Sequence, residues 1–96
     1  MRYHPEAEAE IVRAARYYEK RVEGLGARFL SEFEATATRI LEAPERWRLL
    51  EGDVRRCLMR RFPYGIYYRV DTDEVRILVV KHHSRHPDYW KERVTE

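Results

Sequence analysis

Tyr64-Gly65-Ile66-Tyr67-Tyr68-Arg69-Val70-Asp71-Thr72-Asp73-Glu74-Val75-Arg76-Ile77-Leu78-Val79-Val80 contains two runs of strand type on either side of a polar turn. In the first run Ile66, Tyr68 and Val70 alternate with Gly65, Tyr67 and Arg69, the two-residue period of a strand with one face in a core. Asp71 to Glu74 is a tight turn. The second run is apolar at nearly every position, as expected of a strand covered on both faces. Together they predict a hairpin whose second strand lies innermost.

Upstream, Trp47, Leu49 and Leu50 lead into a further strand over 53–62. Before Pro44 the period changes. Ala7, Ile11, Ala14, Tyr18 and Val22 recur at spacings of three and four, which predicts a helix from Pro5 to Val22. Its other face carries Glu6, Glu10, Arg13, Arg16 and Lys20, expected in solvent. Gly24-Leu25-Gly26 breaks this pattern, and Phe29, Leu30, Phe33, Ala37, Ile40 and Leu41 restore it until Pro44. Two helices joined so closely run antiparallel, an αα-hairpin with one apolar seam. Met1 to His4 add a short strand, and Asp88 to Arg93 a turn of helix. The fold predicted is α+β, with the helical hairpin packed on a mainly antiparallel sheet of about four strands. No linker, repeat or low-complexity segment divides the chain, so residues 1–96 are expected to form one domain.

Hydrophobic residues are 44% and charged residues 38% of the 96, enough apolar surface for a core and too much for a disordered chain. Neither a run of about 20 apolar residues nor a signal-peptide core is present, so a cytoplasmic location is expected and no membrane partner. A lone Cys57 in a strand-like run reads as a half-buried thiol. The net charge of +2 is small, but its excess lies in the second half: residues 1–50 hold nine Lys/Arg and nine Asp/Glu, residues 51–96 ten and eight. Arg55, Arg56, Arg60 and Arg61 cluster there. Strict alternation puts Arg56, Leu58 and Arg60 on one side and Arg55, Cys57, Met59 and Arg61 on the other.

Phe62-Pro63-Tyr64-Gly65-Ile66-Tyr67-Tyr68-Arg69-Val70, followed by Lys81-His82-His83-Ser84-Arg85-His86-Pro87-Asp88-Tyr89-Trp90-Lys91-Glu92-Arg93, resembles the ParE branch of the RelE/ParE superfamily of toxins. Tyr17-Tyr18-Glu19 and Ala43-Pro44 support the resemblance, which covers nearly the whole chain. It implies a RelE/ParE-like fold and a plasmid-stabilisation toxin of a type II toxin–antitoxin system, neutralised by a cognate antitoxin. Operator DNA would be reached only through that antitoxin. ParE-type members inhibit DNA gyrase and so arrest growth; RelE-type members cut messenger RNA on the ribosome. Since the fold hosts both, the site has to decide.

Under the resemblance, Arg56, Arg60, Arg61, Arg85, Tyr89 and Arg93 are the candidates for contact with target or antitoxin. For Arg85 and Arg93 the plain alternative is a surface ion pair, and Trp90 is expected to anchor the tail beside Trp47 or a helix. Metal-free RNA cleavage would need a base, an acid and cations on the phosphate, for which Arg60, His83 and Arg85 are the candidates. Nuclease members, however, place a lysine and an arginine where this chain has Leu58 and Gly65. A gyrase inhibitor without catalytic residues is therefore the leading expectation, a ribosome-dependent endoribonuclease the alternative, and a non-toxic antitoxin-binding module the third. No cofactor is implied. His82 and His86 have metal-ligand spacing, but Pro87 and the preceding strand spoil the geometry, so no metal is expected.

Overall fold

A computed structural model describes residues 1–94. The domain expected over 1–96 also takes in residues 95 and 96, which lie outside the described residues. The order is β1 (Arg2–Tyr3), α1 (Pro5–Arg21), α2 (Leu25–Glu42), β2 (Arg48–Glu51), β3 (Val54–Leu58), β4 (Tyr64–Asp71), β5 (Glu74–His82) and α3 (Lys91–Val94). The strands form one sheet in the order β1-β5-β4-β3-β2, antiparallel except for the β1–β5 pair. The fold is α+β, with helices α1 and α2 on one face of the sheet and the C-terminal segment on the other.

Among the described residues five strands form where about four were expected, because the segment leading into the strand expected over 53–62 is itself a strand, β2, and that expected strand ends at Leu58. Gly52 adopts a left-handed φ of 57° and turns β2 back onto β3. Nor is the second hairpin strand innermost. β4 is central, and β5 is buried because both of its faces are covered.

Local chemistry sets the helices. The His4 ring accepts a hydrogen bond from the Glu6 N–H, Pro5 opens the first turn, and Glu6 and Glu8 sit at the positive end of the dipole. At the next junction Gly24 has φ 85° and no capping side chain, so Glu19 reaches across from α1 and accepts the Gly24 and Gly26 N–H groups, each at 2.9 Å. The helix axes can close here because Gly26 has no side chain: a Cβ would stand 2.6 Å from the Ala15 carbonyl oxygen. Gly26→Ala is expected to cost about 1–3 kcal/mol through overpacking. A thermal melt unchanged from the parent would refute this.

The main core joins Ala7, Ala14, Phe29, Phe33 and Ile40 of the helices to Cys57, Ile66, Tyr68 and Ile77 of the sheet. Leu30 and Leu41 were expected on the same seam but are exposed, and Val22 lies beyond α1 in extended backbone, also exposed. Cys57 is fully rather than half buried, and burial raises its thiol pKa, outweighing Arg39 and Arg60. Tyr68 donates to the Pro44 carbonyl at 2.6 Å, and burial pushes its phenol up to about 12. No described helix is long and apolar enough to cross a membrane.

In β5 the register slips by one residue. Tyr67 pairs with Val79 but Tyr68 pairs with Ile77, so Leu78 is an extra residue, a β-bulge. Leu78 and Val79 therefore both join the second core, with Val54, Tyr67 and Trp90, while Ile77 and Val80 face the helices.

Candidate functional site

β1 covers only Arg76 and Ile77 of its neighbour, so the edge of β5 beyond Ile77 has no strand beside it. Side chains from the two ends of the sequence fill that place. Glu10 Oε1 accepts the Val80 N–H at 2.9 Å, and Arg93 Nη1 donates to the Leu78 carbonyl at 3.0 Å. Arg93 also grips Glu10 bidentately, Nη1 to Oε1 at 2.8 Å and Nη2 to Oε2 at 3.0 Å. Tyr89 adds a donor to Glu10 Oε2 at 2.7 Å, and burial, then that bond, hold its phenol above the usual range. Arg93 Nε lies 3.1 Å from Glu6 Oε2, an ion-pair contact without hydrogen-bond geometry.

Three expectations change here. Glu10 was placed on the solvent face of its helix but is 6% exposed, because the C-terminal segment crosses that flank. Arg93, expected on a binding surface or in a surface ion pair, is 7% exposed and locked into the cluster. Trp90 is an anchor, as expected, but it packs against Tyr67 (centroids 5.6 Å apart) on the outer face of the sheet instead of beside Trp47 or a helix.

On the outer face the phase of β5 after the bulge brings Lys81 next to Gly65, which in turn pairs with Leu58 on β3. Arg56 lies diagonally across. With no side chain at Gly65, Arg56 leans over it: a Cβ there would be 3.3 Å from Arg56 Cδ and 3.4 Å from Leu58 Cδ2. Lys81 is 6% exposed, and among the described residues its ammonium donates to a single acceptor, the His82 carbonyl at 3.3 Å. Burial, then Arg56, lower its pKa. His83 shares the cavity, and burial, then His82, Lys81 and Arg56, lower its pKa too. This cavity has a volume of about 500 Å³, floored by Tyr67 and Trp90.

The remaining arginines are dispersed. Arg55 turns toward the helix side and donates to the Glu45 and Trp47 carbonyls. Arg60 and Arg61 follow the end of β3; Arg61, at φ 66°, pairs with Glu32 on α2, and Arg60 is exposed. Arg85 stacks over the Tyr89 ring at 5.4 Å, in a second cleft of about 250 Å³ beside α1 that Arg13, Tyr17 and His82 also line. Tyr89, expected to face a partner, is half-buried, its ring touched by Arg85 and Arg93. His83 and Arg85 line different cavities, and Arg60 lines neither. The trio Arg60, His83 and Arg85 is thus not assembled. His82 and His86 cap turns, their Nδ1 atoms accepting the N–H groups of Ser84 and Asp88. Among the described residues no group of three His, Cys, Asp or Glu is placed to hold a metal.

Two functional candidates were missed in the sequence. For Lys81 a signal existed, since a lysine closes an apolar run read as covered on both faces. Glu10 had none, because i+3/i+4 spacing alone put it on the wet face.

A strand, a helical hairpin and a largely antiparallel sheet closed by a C-terminal turn make up the RelE/ParE-type fold. The family described as ParE toxin of type II toxin–antitoxin system, parDE, matches residues 1–87. This chain belongs to that family. The match ends at Pro87, short of Tyr89, Trp90 and Arg93. No curated protein matches the chain.

Proposed function

We propose that this ParE-family toxin is one domain over 1–96 that arrests growth by binding DNA gyrase, without covalent chemistry, and that a cognate antitoxin neutralises it in the cytoplasm. What supports a binding mode is the Leu58–Gly65 pair. These residues face each other across β3 and β4, at the two positions where the resemblance puts nuclease bases. Arg60, Arg61 and Arg85 are the exposed members of the candidate contact set and would meet the target or the acidic antitoxin directly. Arg56 and Tyr89 are half-buried contributors, and Arg93 acts through Tyr89.

Brief expression without antitoxin, with mRNA ends mapped and purified gyrase assayed for supercoiling, tests the reading. Supercoiling should fall while transcripts stay intact. Codon-phased cuts with unaffected gyrase would replace it by the endoribonuclease alternative. Absence of growth arrest, with antitoxin binding retained, would identify a non-toxic module.

A further inference from the structure

Among the described residues, two cations lining the cavity on the outer sheet face, Arg56 and Lys81, have no counter-ion. Arg56 has no hydrogen bond or ion pair among the described residues, and Lys81 has only the His82 carbonyl. Burying an ammonium with no carboxylate beside it is costly, and a second cation alongside raises the cost. Elsewhere this chain pairs its buried charge thoroughly, as Arg93 with Glu10. The one carboxylate among the residues lining the cavity, Glu51, is 3.6 Å from Lys91, which also lines it and is held at 3.1 Å by Asp88 outside the cavity, so the lining charges of Glu51 and Lys91 offset. Arg56 and Lys81 therefore leave a local charge of about +2, with the His83 ring as a further hydrogen-bonding group.

From this charge, burial and shape we infer that the cavity lined by Arg56, Lys81 and His83 is a binding site for a phosphate monoester dianion. A phosphate monoester carries about −1.5 to −2 at neutral pH and three acceptor oxygens, matching both the charge and the donors. A phosphodiester or a carboxylate carries only −1 and would leave one cation uncompensated. Tyr67 and Trp90 are 4% and 5% exposed, so little ring surface is open for a nucleobase to stack on. The site accordingly reads the phosphoryl group and not the base. Two sources supply that chemistry: a small phosphate such as the inorganic ion, and the phosphorylated end of a nucleic acid strand. The inference does not depend on which target the toxin blocks.

The test follows the His83 ring resonances of the labelled, full-length protein during titration with inorganic phosphate, then with hexathymidylate carrying either a 5′-phosphate or a 5′-hydroxyl. Saturable shifts are expected with inorganic phosphate, and Arg56→Met and Lys81→Met should each weaken binding roughly tenfold. Arg56 is half-exposed, so Arg56→Met keeps the test intact should Lys81→Met fold poorly. Tighter binding of the 5′-phosphorylated strand than of its 5′-hydroxyl form supports the site with a strand end as ligand. Response to inorganic phosphate alone supports it with a small phosphate as ligand. Equal binding of the two strands would mean that the diester backbone is read, which overturns the inference. So would the absence of any shift at millimolar phosphate, or undiminished affinity in the folded variants.

Discussion

Glu10→Ala is expected to cost about 3–5 kcal/mol of folding free energy, the penalty of leaving one partner of a buried ion pair alone. For a domain of this size the melting temperature should fall by on the order of 20 °C. Three groups lose Glu10 as acceptor at once: the Tyr89 hydroxyl, the Val80 N–H and the Arg93 guanidinium, which keeps only the Leu78 carbonyl, the Tyr89 oxygen and the exposed Glu6. Glu10→Gln should cost less, since the amide oxygen can still take one of these bonds. Calorimetry of the two variants is the check. A fall of only a few degrees for the alanine variant would mean that the cluster is solvated and the tail is not held by it. The readout matters for function because Tyr89 and Arg85 are positioned by the same clasp.

An effect of similar size, about 3–5 kcal/mol, is expected for Phe29→Ala. Phe29 is fully buried among Tyr18, Phe62 and Tyr64, its ring centroid 5.6, 5.2 and 5.2 Å from theirs. Truncation opens a space between rigid rings that cannot collapse to fill it, which puts the cost at the upper end of core substitutions. Because Phe62 belongs to the turn between β3 and β4, its loss of packing should also loosen Arg60 and Arg61. Denaturant titration should give a lower midpoint with an unchanged slope. Leu30→Ala, at a 40% exposed position of the same helix, is the contrast and should cost about 1 kcal/mol or less. Equal losses for the two would refute the distinction between the buried seam and the outer face of α2.

The helices were readable because their signals are local. Pro5, the glycines at 24 and 26, and Pro44 mark starts and stops within a few residues of the event. The β4–β5 hairpin was readable for the same reason, with Asp71 to Glu74 between two apolar runs. What escaped depends on contacts between distant parts of the chain. Glu51-Gly52-Asp53 is a turn of ordinary polar composition inside a run that otherwise reads as strand. The burial of Glu10 is set by Arg93, 83 positions away in sequence. The reading of the candidate site changed most at Gly65. In the sequence it stands for a missing cation, whereas in three dimensions the vacated space is crossed by the Arg56 stem, with Lys81 on the adjacent strand.

A strand has a phase: each residue advances the side chain by half a turn, and a core can be continued only while the count stays in step. Leu78 inserts one extra count. Before it, Val75 and Ile77 keep time with the helices; after it, Val80 and His82 do, and Lys81 falls on the opposite beat. Had strict alternation run on through Leu78 with no bulge, Lys81 would face the helices. By taking Leu78 out of step, the bulge keeps the sheet's buried ammonium out of the apolar core and on the face where Arg56 meets it.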